Sequence, residues 1–178
     1  LPENLDLSIA ENPYKAYGKK ELEAYLRNLM VREKDSYGTF TYSNLGVGLL
    51  GYTLGLSQKT TFQDLLQKEI FDKYGMNQSY TSSVNLGDRL VKGLDYDGYE
   101  ATNWDFDVLF GGGGIISSTE DLSKFALAQF DPTNLELELT RQPTHLIGGN
   151  SSIGLGWHME TSKNKTLLAR NSEKLLRM

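Results

Sequence analysis

Tyr42 and Asn44, separated by Ser43, are the side chains most suggestive of chemistry in this sequence. Gly38-Thr39-Phe40-Thr41 before them reads as a turn and a short extended stretch. After them Leu45, Leu49, Tyr52 and Leu56 recur every three to four residues, the period of a buried helix. The pair therefore stands at a strand-to-helix junction, where backbone N–H groups are unpaired and side chains can face a cleft. A core aromatic followed by a capping residue is the bland alternative. Gly46, Gly48, Gly51 and Gly55 fall in the same helix, each disfavoured by about 1 kcal/mol relative to Ala. Such a helix makes sense if another backbone packs closely against it.

Other residue types that do chemistry give weaker patterns. The absence of Cys excludes disulfides, thiolate catalysis and Cys-based metal sites. His145 follows Pro143 in an expected loop and His158 adjoins Trp157 on an expected strand. Neither has a Gly-x-Ser-x-Gly elbow nearby, and two isolated histidines make no metal site, so both read as exposed or packing residues. Asp95, Asp97 and Gly98 invite a calcium-loop reading, but the position that needs a Glu is Phe106, leaving a plain turn. Gly111-Gly112-Gly113-Gly114 is not followed by Lys-Ser/Thr and lacks Gly-x-Gly-x-x-Gly spacing, which argues against a nucleotide loop. Ser162 and Lys165 form the one Ser-x-x-Lys of the chain, and they fall at an expected hairpin tip.

The elements that must position these groups are legible from the pattern. Leu1 to Tyr17, with Pro2 and Pro13, reads as a surface connection. Lys19 to Lys34 is an amphipathic helix with Leu22, Tyr25, Leu26, Leu29 and Met30 on one face, and Lys34 to Gly38 is a turn. Thr60 to Tyr74 is a second helix, with Thr60 and Gln63 as a capping box, Phe62, Leu65, Leu66 and Ile70 as its face, and Gly75 as its stop. Arg89 to Leu94 suggests a short strand running into a turn. Thr119 to Phe130 is a helix capped by Ser117–Glu120 or Ser118–Asp121, burying Leu122, Phe125, Ala126 and the stem of Gln129. Asp121 reads as an acid favoured by the helix dipole. Leu135 to Gln142 is a short helix, Pro143 to Ser152 a loop, Ile153 to Met159 a strand, and Thr166 to Arg170 its returning partner. The fold class is α+β: helices first, then a hairpin of an antiparallel sheet.

The composition, 178 residues with 39 % hydrophobic and 23 % charged, is that of an ordinary globular domain or a large piece of one. A net charge of −5 with scattered Lys and Arg argues against a nucleic-acid surface. No apolar run approaches the roughly 20 residues of a membrane span. The chain begins at Leu1 without a basic-then-apolar leader, so no targeting signal is legible and the compartment stays open.

Tyr42-Ser43-Asn44 followed by Leu45-Gly46-Val47-Gly48-Leu49-Leu50-Gly51 resembles the Tyr-x-Asn motif of the serine β-lactamase and penicillin-binding protein superfamily, class C type. That superfamily includes D-Ala-D-Ala carboxypeptidases and esterases. Ile70-Phe71 to Tyr74-Gly75-Met76, the glycine run before Ser118-Thr119, and Gly154-Leu155-Gly156-Trp157 continue the resemblance in order, over nearly the whole chain. It implies the helical region and part of the sheet of a three-layer domain. It also implies a hydrolase whose Ser is acylated by a β-lactam, D-Ala peptide or ester, with no cofactor, working in the periplasm or outside the cell. A Ser hydroxyl is a weak nucleophile until a base takes its proton, and a Tyr of ordinary pKa, about 10, serves only where cations stabilise its phenoxide. The resemblance gives that role to Tyr42, a substrate- and Lys-holding amide to Asn44, cleft lining to Gly112, Gly113 and Gly114, and a positive charge at the substrate edge to Arg170.

Two family motifs are not in place. The Ser-x-x-Lys expected upstream of Tyr42 is not in this sequence, and Arg170-Asn171-Ser172 stands where Lys-Thr-Gly or His-x-Gly belongs. The expectation is therefore a piece of such a hydrolase, inactive alone, prone to self-association through exposed sheet edges. A non-catalytic binding or structural module of the same fold is the alternative.

Overall fold

Helix α2, Asn44–Gln58, is the element on which the glycine-rich segment and the next helix pack. In this computed structural model, which describes residues 12–28, 38–162 and 165–169, Ser43 is its extended N-cap and accepts a 2.9 Å hydrogen bond from Gly46 N. Lys59, left-handed at φ 56°, closes the other end. The buried stripe is Asn44, Leu45, Gly48, Gly51 and Gly55, with Leu49 and Tyr52 half-buried. Leu56, expected on the buried face, is exposed, because the chain returning into the next helix covers Gly55 instead. The stretch before Tyr42 forms no strand.

The glycines have the close backbone neighbour their number required. A Cβ on Gly48 would lie 2.9 Å from Leu109 Cα, and one on Gly111 would lie 2.7 Å from the Val47 carbonyl oxygen. A 3-10 turn, Phe110–Gly112, thus lies directly on α2.

Helix α1, Lys19–Asn28, buries Leu22 against Tyr14, Leu45 and Leu109, with Tyr25 and Leu26 packed on that cluster. Tyr14 corrects the reading of the first segment as surface: its ring is fully buried, stacked on Phe106 at 4.5 Å and tilted against Trp104 at 5.5 Å. Leu29, Met30 and the expected turn from Lys34 to Tyr37 lie outside the described residues.

Helix α3, Phe62–Leu66, is capped by Thr61, whose Oγ1 accepts from Asp64 N, rather than by Thr60 with Gln63. It runs into a π-helical turn, Gln67–Phe71, that buries Phe71, and Gly75 at φ 64° turns the chain away. After a 3-10 turn at Gly87–Arg89, β1 (Gly93–Leu94) and β2 (Glu100–Ala101) make a small hairpin. Its tip is the expected plain turn: Asp95 Oδ1 accepts from Asp97 N and Tyr99 N.

Helix α4, Thr119–Ala128, uses the Ser118–Asp121 cap. Asp121, Phe125 and Gln129 face inward, whereas Leu122 and Ala126, expected to be buried, are exposed. The inward face is thus anchored by a carboxylate. Asp121 accepts from Gln78 N at 2.6 Å, Ser79 Oγ at 2.9 Å and Lys124 Nζ at 2.9 Å. Burial would raise its carboxyl pKa, but these bonds outweigh it and hold the group below the ordinary aspartate range.

Helix α5, Leu135–Thr140, leads into a four-stranded antiparallel sheet of β3 (His145–Gly148), β4 (Ser151–Ile153), β5 (His158–Ser162) and β6 (Lys165–Ala169), in that order. Two strands therefore replace the expected loop from Pro143 to Ser152. The expected strand from Ile153 to Met159 is instead a strand end, a turn through Gly154–Trp157 and the start of β5. Strands of three and four residues joined by Gly148-Gly149-Asn150 are too short to show alternation. The β5–β6 hairpin falls where expected, with Ser162 opposite Lys165. The architecture is α+β, helices with small antiparallel sheets.

Candidate active site

Ser43 at the N-cap fixes the phase of α2, so that Tyr42 and Asn44 flank the cap on the helix's first turn. Tyr42 is 49 % exposed, while Asn44 is only 7 % exposed. The Tyr42 hydroxyl donates a 2.9 Å hydrogen bond to Asn44 Oδ1. Tyr42 thus offers a solvent-accessible phenol whose oxygen is held by a nearly buried amide, which is more than a core aromatic beside a cap. Asn44 lies inside α2 and the cap is Ser43. Among the described residues no Lys or Arg nitrogen bonds the Tyr42 hydroxyl.

Gly112 is brought to the pair: a Cβ there would lie 3.2 Å from the Asn44 carbonyl oxygen. Gly113 sits against the Phe106 ring and Gly114 against the Phe110 ring, where a Cβ would come within 2.4 Å. The run therefore turns tightly beside Asn44 and leads into a cavity of about 320 Å³. Trp104, Phe106, Phe110, Ser82, Ser83 and Gly114 are among its walls, with Lys15 and Asp105 at its charged side. Lys15 Nζ lies 3.4 Å from Asp105 Oδ2, and Ser83 Oγ donates to Asp105 Oδ1 at 2.8 Å. Tyr14 packs beside the cavity, its ring against Trp104 and Phe106, and burial raises its pKa.

Tyr14, Trp104 and Phe106 escaped the sequence reading. The signal available was the aromatic spacing Trp104, Phe106, Phe110 ahead of the glycines, and an aromatic at Tyr14 in an otherwise polar stretch. Arg170 lies outside the described residues. Ser162 and Lys165 face each other across a hairpin rather than on one helical turn, which gives the hydroxyl no helical lysine neighbour. His145 is exposed on β3 rather than in a loop, and half-buried His158 packs edge-on to Phe40 at 5.7 Å. That contact sets β5 beside the segment entering Tyr42. Among the described residues no group of three or more His, Cys, Asp or Glu could hold a metal ion, and no helix is long and apolar enough to cross a membrane.

Tyr42-Ser43-Asn44 at the head of a glycine-striped helix, with helices preceding an antiparallel sheet, is the order of elements that the resemblance noted above implies. The family model described as Beta-lactamase matches residues 1–170, and the chain belongs to that family. Among solved structures, a β-lactamase/D-alanine carboxypeptidase from Pseudomonas syringae is similar at TM-score 0.74 and 20 % identity, covering 93 % of this chain and 46 % of its own. A class C β-lactamase in complex with cefoxitin gives 0.73 and 22 %, covering 90 % and 44 %. A class C β-lactamase from Rhodobacter sphaeroides gives 0.68 and 18 %, covering 93 % and 46 %. The chain spans less than half the length of these structures, and at such identities the likeness establishes the fold. No curated protein matches the sequence.

Proposed function

We propose that this chain carries the Tyr-x-Asn half of an acyl-transfer site in a serine hydrolase of the β-lactamase and penicillin-binding type. The observation that carries the reading is the Tyr42–Asn44 hydrogen bond, set on the first turn of α2 with Gly112 packed against Asn44. In the complete site Tyr42, as phenoxide, takes the proton of a serine hydroxyl while that oxygen attacks a β-lactam, D-Ala peptide or ester carbonyl. Asn44 orients both the phenol and the substrate amide. Gly112, Gly113 and Gly114 bring their backbone close beside Asn44 and the cleft aromatics, and Arg170 is the positive charge that the resemblance assigns to the substrate edge.

The reading also needs a serine and a lysine that stabilises the phenoxide, and no Ser-x-x-Lys stands ahead of Tyr42 in these 178 residues. Without them the chain binds and does not turn over. Its exposed β3 edge and the outward Val47, Leu50 and Leu54 of α2 favour self-association. A binding module that never performs chemistry is the second reading, favoured by the placement of Ser162 and Lys165 across a hairpin. Covalent labelling by a fluorescent penicillin, with and without a Ser-x-x-Lys segment supplied, separates the two.

A further inference from the structure

The walls of the cavity at the end of the glycine run are held in place from behind. Trp104 and Phe106 line it, and both rings lean on the fully buried Tyr14, at 5.5 and 4.5 Å. Phe110, itself buried and edge-on to Phe62 at 6.4 Å, lines it beside Gly114. A further wall, Thr81 to Val84, leaves the bridge between Tyr80 and Ile116, where each backbone N–H donates to the other's carbonyl at 2.7 and 3.0 Å. Rings fixed before a ligand arrives lose little freedom when it binds.

The charges on these walls cancel. Asp105 accepts from Ser83 Oγ at 2.8 Å and pairs with Lys15 at 3.4 Å, which ties the segment of Lys15 to both walls. Aromatic surface is then what is left to recognise a ligand. The volume of about 320 Å³ is roughly twice the ~150 Å³ of a cavity that takes up benzene. It holds one ring with its linker.

We propose that this cavity is a specificity pocket for a neutral aryl group on the acyl side of the substrate. It rests on the hydrolase reading above and adds a substrate class to it. Gly112 packs on Asn44, and Gly114, on the cavity wall, stands two residues further on, at most about 7 Å along the chain. A substrate amide held at Asn44 therefore reaches the cavity through about one to three linking atoms, past glycines that carry no side chain. An alkyl group would not stack on Trp104 and Phe106. A charged one would lose its hydration without an unpaired partner in return.

The test titrates the 15N-labelled 178-residue chain with N-phenylacetylglycinamide and with N-acetylglycinamide, which lacks the ring. The Trp104 indole, the Gly114 backbone amide and the Asn44 side-chain amide are followed. The phenylacetyl compound is expected to move Trp104 and Gly114 and to bind about tenfold or more tightly than the acetyl compound, the worth of burying one aromatic ring. Ser82→Phe fills the cavity from an exposed wall position. It should abolish both shifts and leave the Trp157 indole and the unfolding midpoint as in wild type. Equal affinities in wild type, shifts that survive Ser82→Phe, or an unmoved Trp104 at millimolar ligand overturn the proposal. Shifts at Trp104 and Gly114 with Asn44 unmoved support the aryl pocket and sink the hydrolase reading instead.

Discussion

The hydroxyl of Tyr42 reaches over Ser43 to donate to Asn44 Oδ1 at 2.9 Å, while Ser43 itself caps the helix that both residues serve. The three consecutive side chains divide the work, so their substitutions should separate cleanly. Ser43→Ala is expected to lower stability by about 1 kcal/mol through loss of the cap. Tyr42→Phe takes the donor from the nearly buried Asn44 Oδ1 and is expected to cost about 1 kcal/mol in urea denaturation, with activity of the completed site lost far beyond that. A large loss for Tyr42→Phe would mean that the phenol is structural.

The approach of the glycine run to α2 makes a second prediction. Gly111→Ala places a methyl 2.7 Å from the Val47 carbonyl oxygen, a backbone atom that cannot swing away. Overpacking of this kind costs about 1–3 kcal/mol, and a thermal melt of Gly111→Ala should show it. An unchanged midpoint would show that the 3-10 turn is not held against α2 in solution.

Asp121 is the polar anchor between α4 and the segment after Gly75. Asp121→Asn leaves Lys124 and the Gln78 N–H without their carboxylate and is expected to destabilise by about 3 kcal/mol. The pH dependence follows in sign. Because the folded-state pKa is lowered, the contribution is fully present above the unfolded value of about 4. It is lost as pH falls through the lower folded value. Glu136, drawn down to about 2 chiefly by Lys73 and also by Tyr74, titrates in the same direction. Urea midpoints from pH 7 to 3 should fall at the acid end, and Asp121→Asn should flatten the curve. A midpoint that rises on acidification contradicts the assignment.

The reason some of this was legible in the sequence and some was not is physical. The extent of α2, the close backbone contact implied by its glycines and the Ser118 cap follow from local spacing and local hydrogen bonds, which a sequence states directly. Tyr14 could not be placed, because its burial depends on Trp104 and Phe106, some ninety residues away. Strands β3 and β4 are short, half-exposed and punctuated by glycine, so tertiary pairing alone defines them. Leu122 was expected inside on its period, yet the inward stripe of α4 runs through Asp121, Phe125 and Gln129, and a buried carboxylate is invisible to hydrophobic patterning.

Self-association is the expected behaviour of the isolated chain. With β3 at a sheet edge and Val47, Leu50 and Leu54 exposed on α2, the apparent mass should rise with concentration. Light scattering that gives a single monodisperse monomer at micromolar concentration would count against it.

The central claim is that Tyr42 and Asn44 form the base-and-amide half of an acyl-transfer site whose nucleophile is not in this sequence. Intact-mass spectrometry after incubation with a fluorescent penicillin tests it most directly, on this chain and on the chain joined to the Ser-x-x-Lys segment that completes it. The account predicts no adduct on the 178-residue chain. It predicts one adduct on the completed protein, formed about 100-fold or more slowly after Tyr42→Phe, in the range expected for loss of a general base. An adduct at Ser162 of the chain alone, or labelling of the completed protein that is indifferent to Tyr42→Phe, would contradict it.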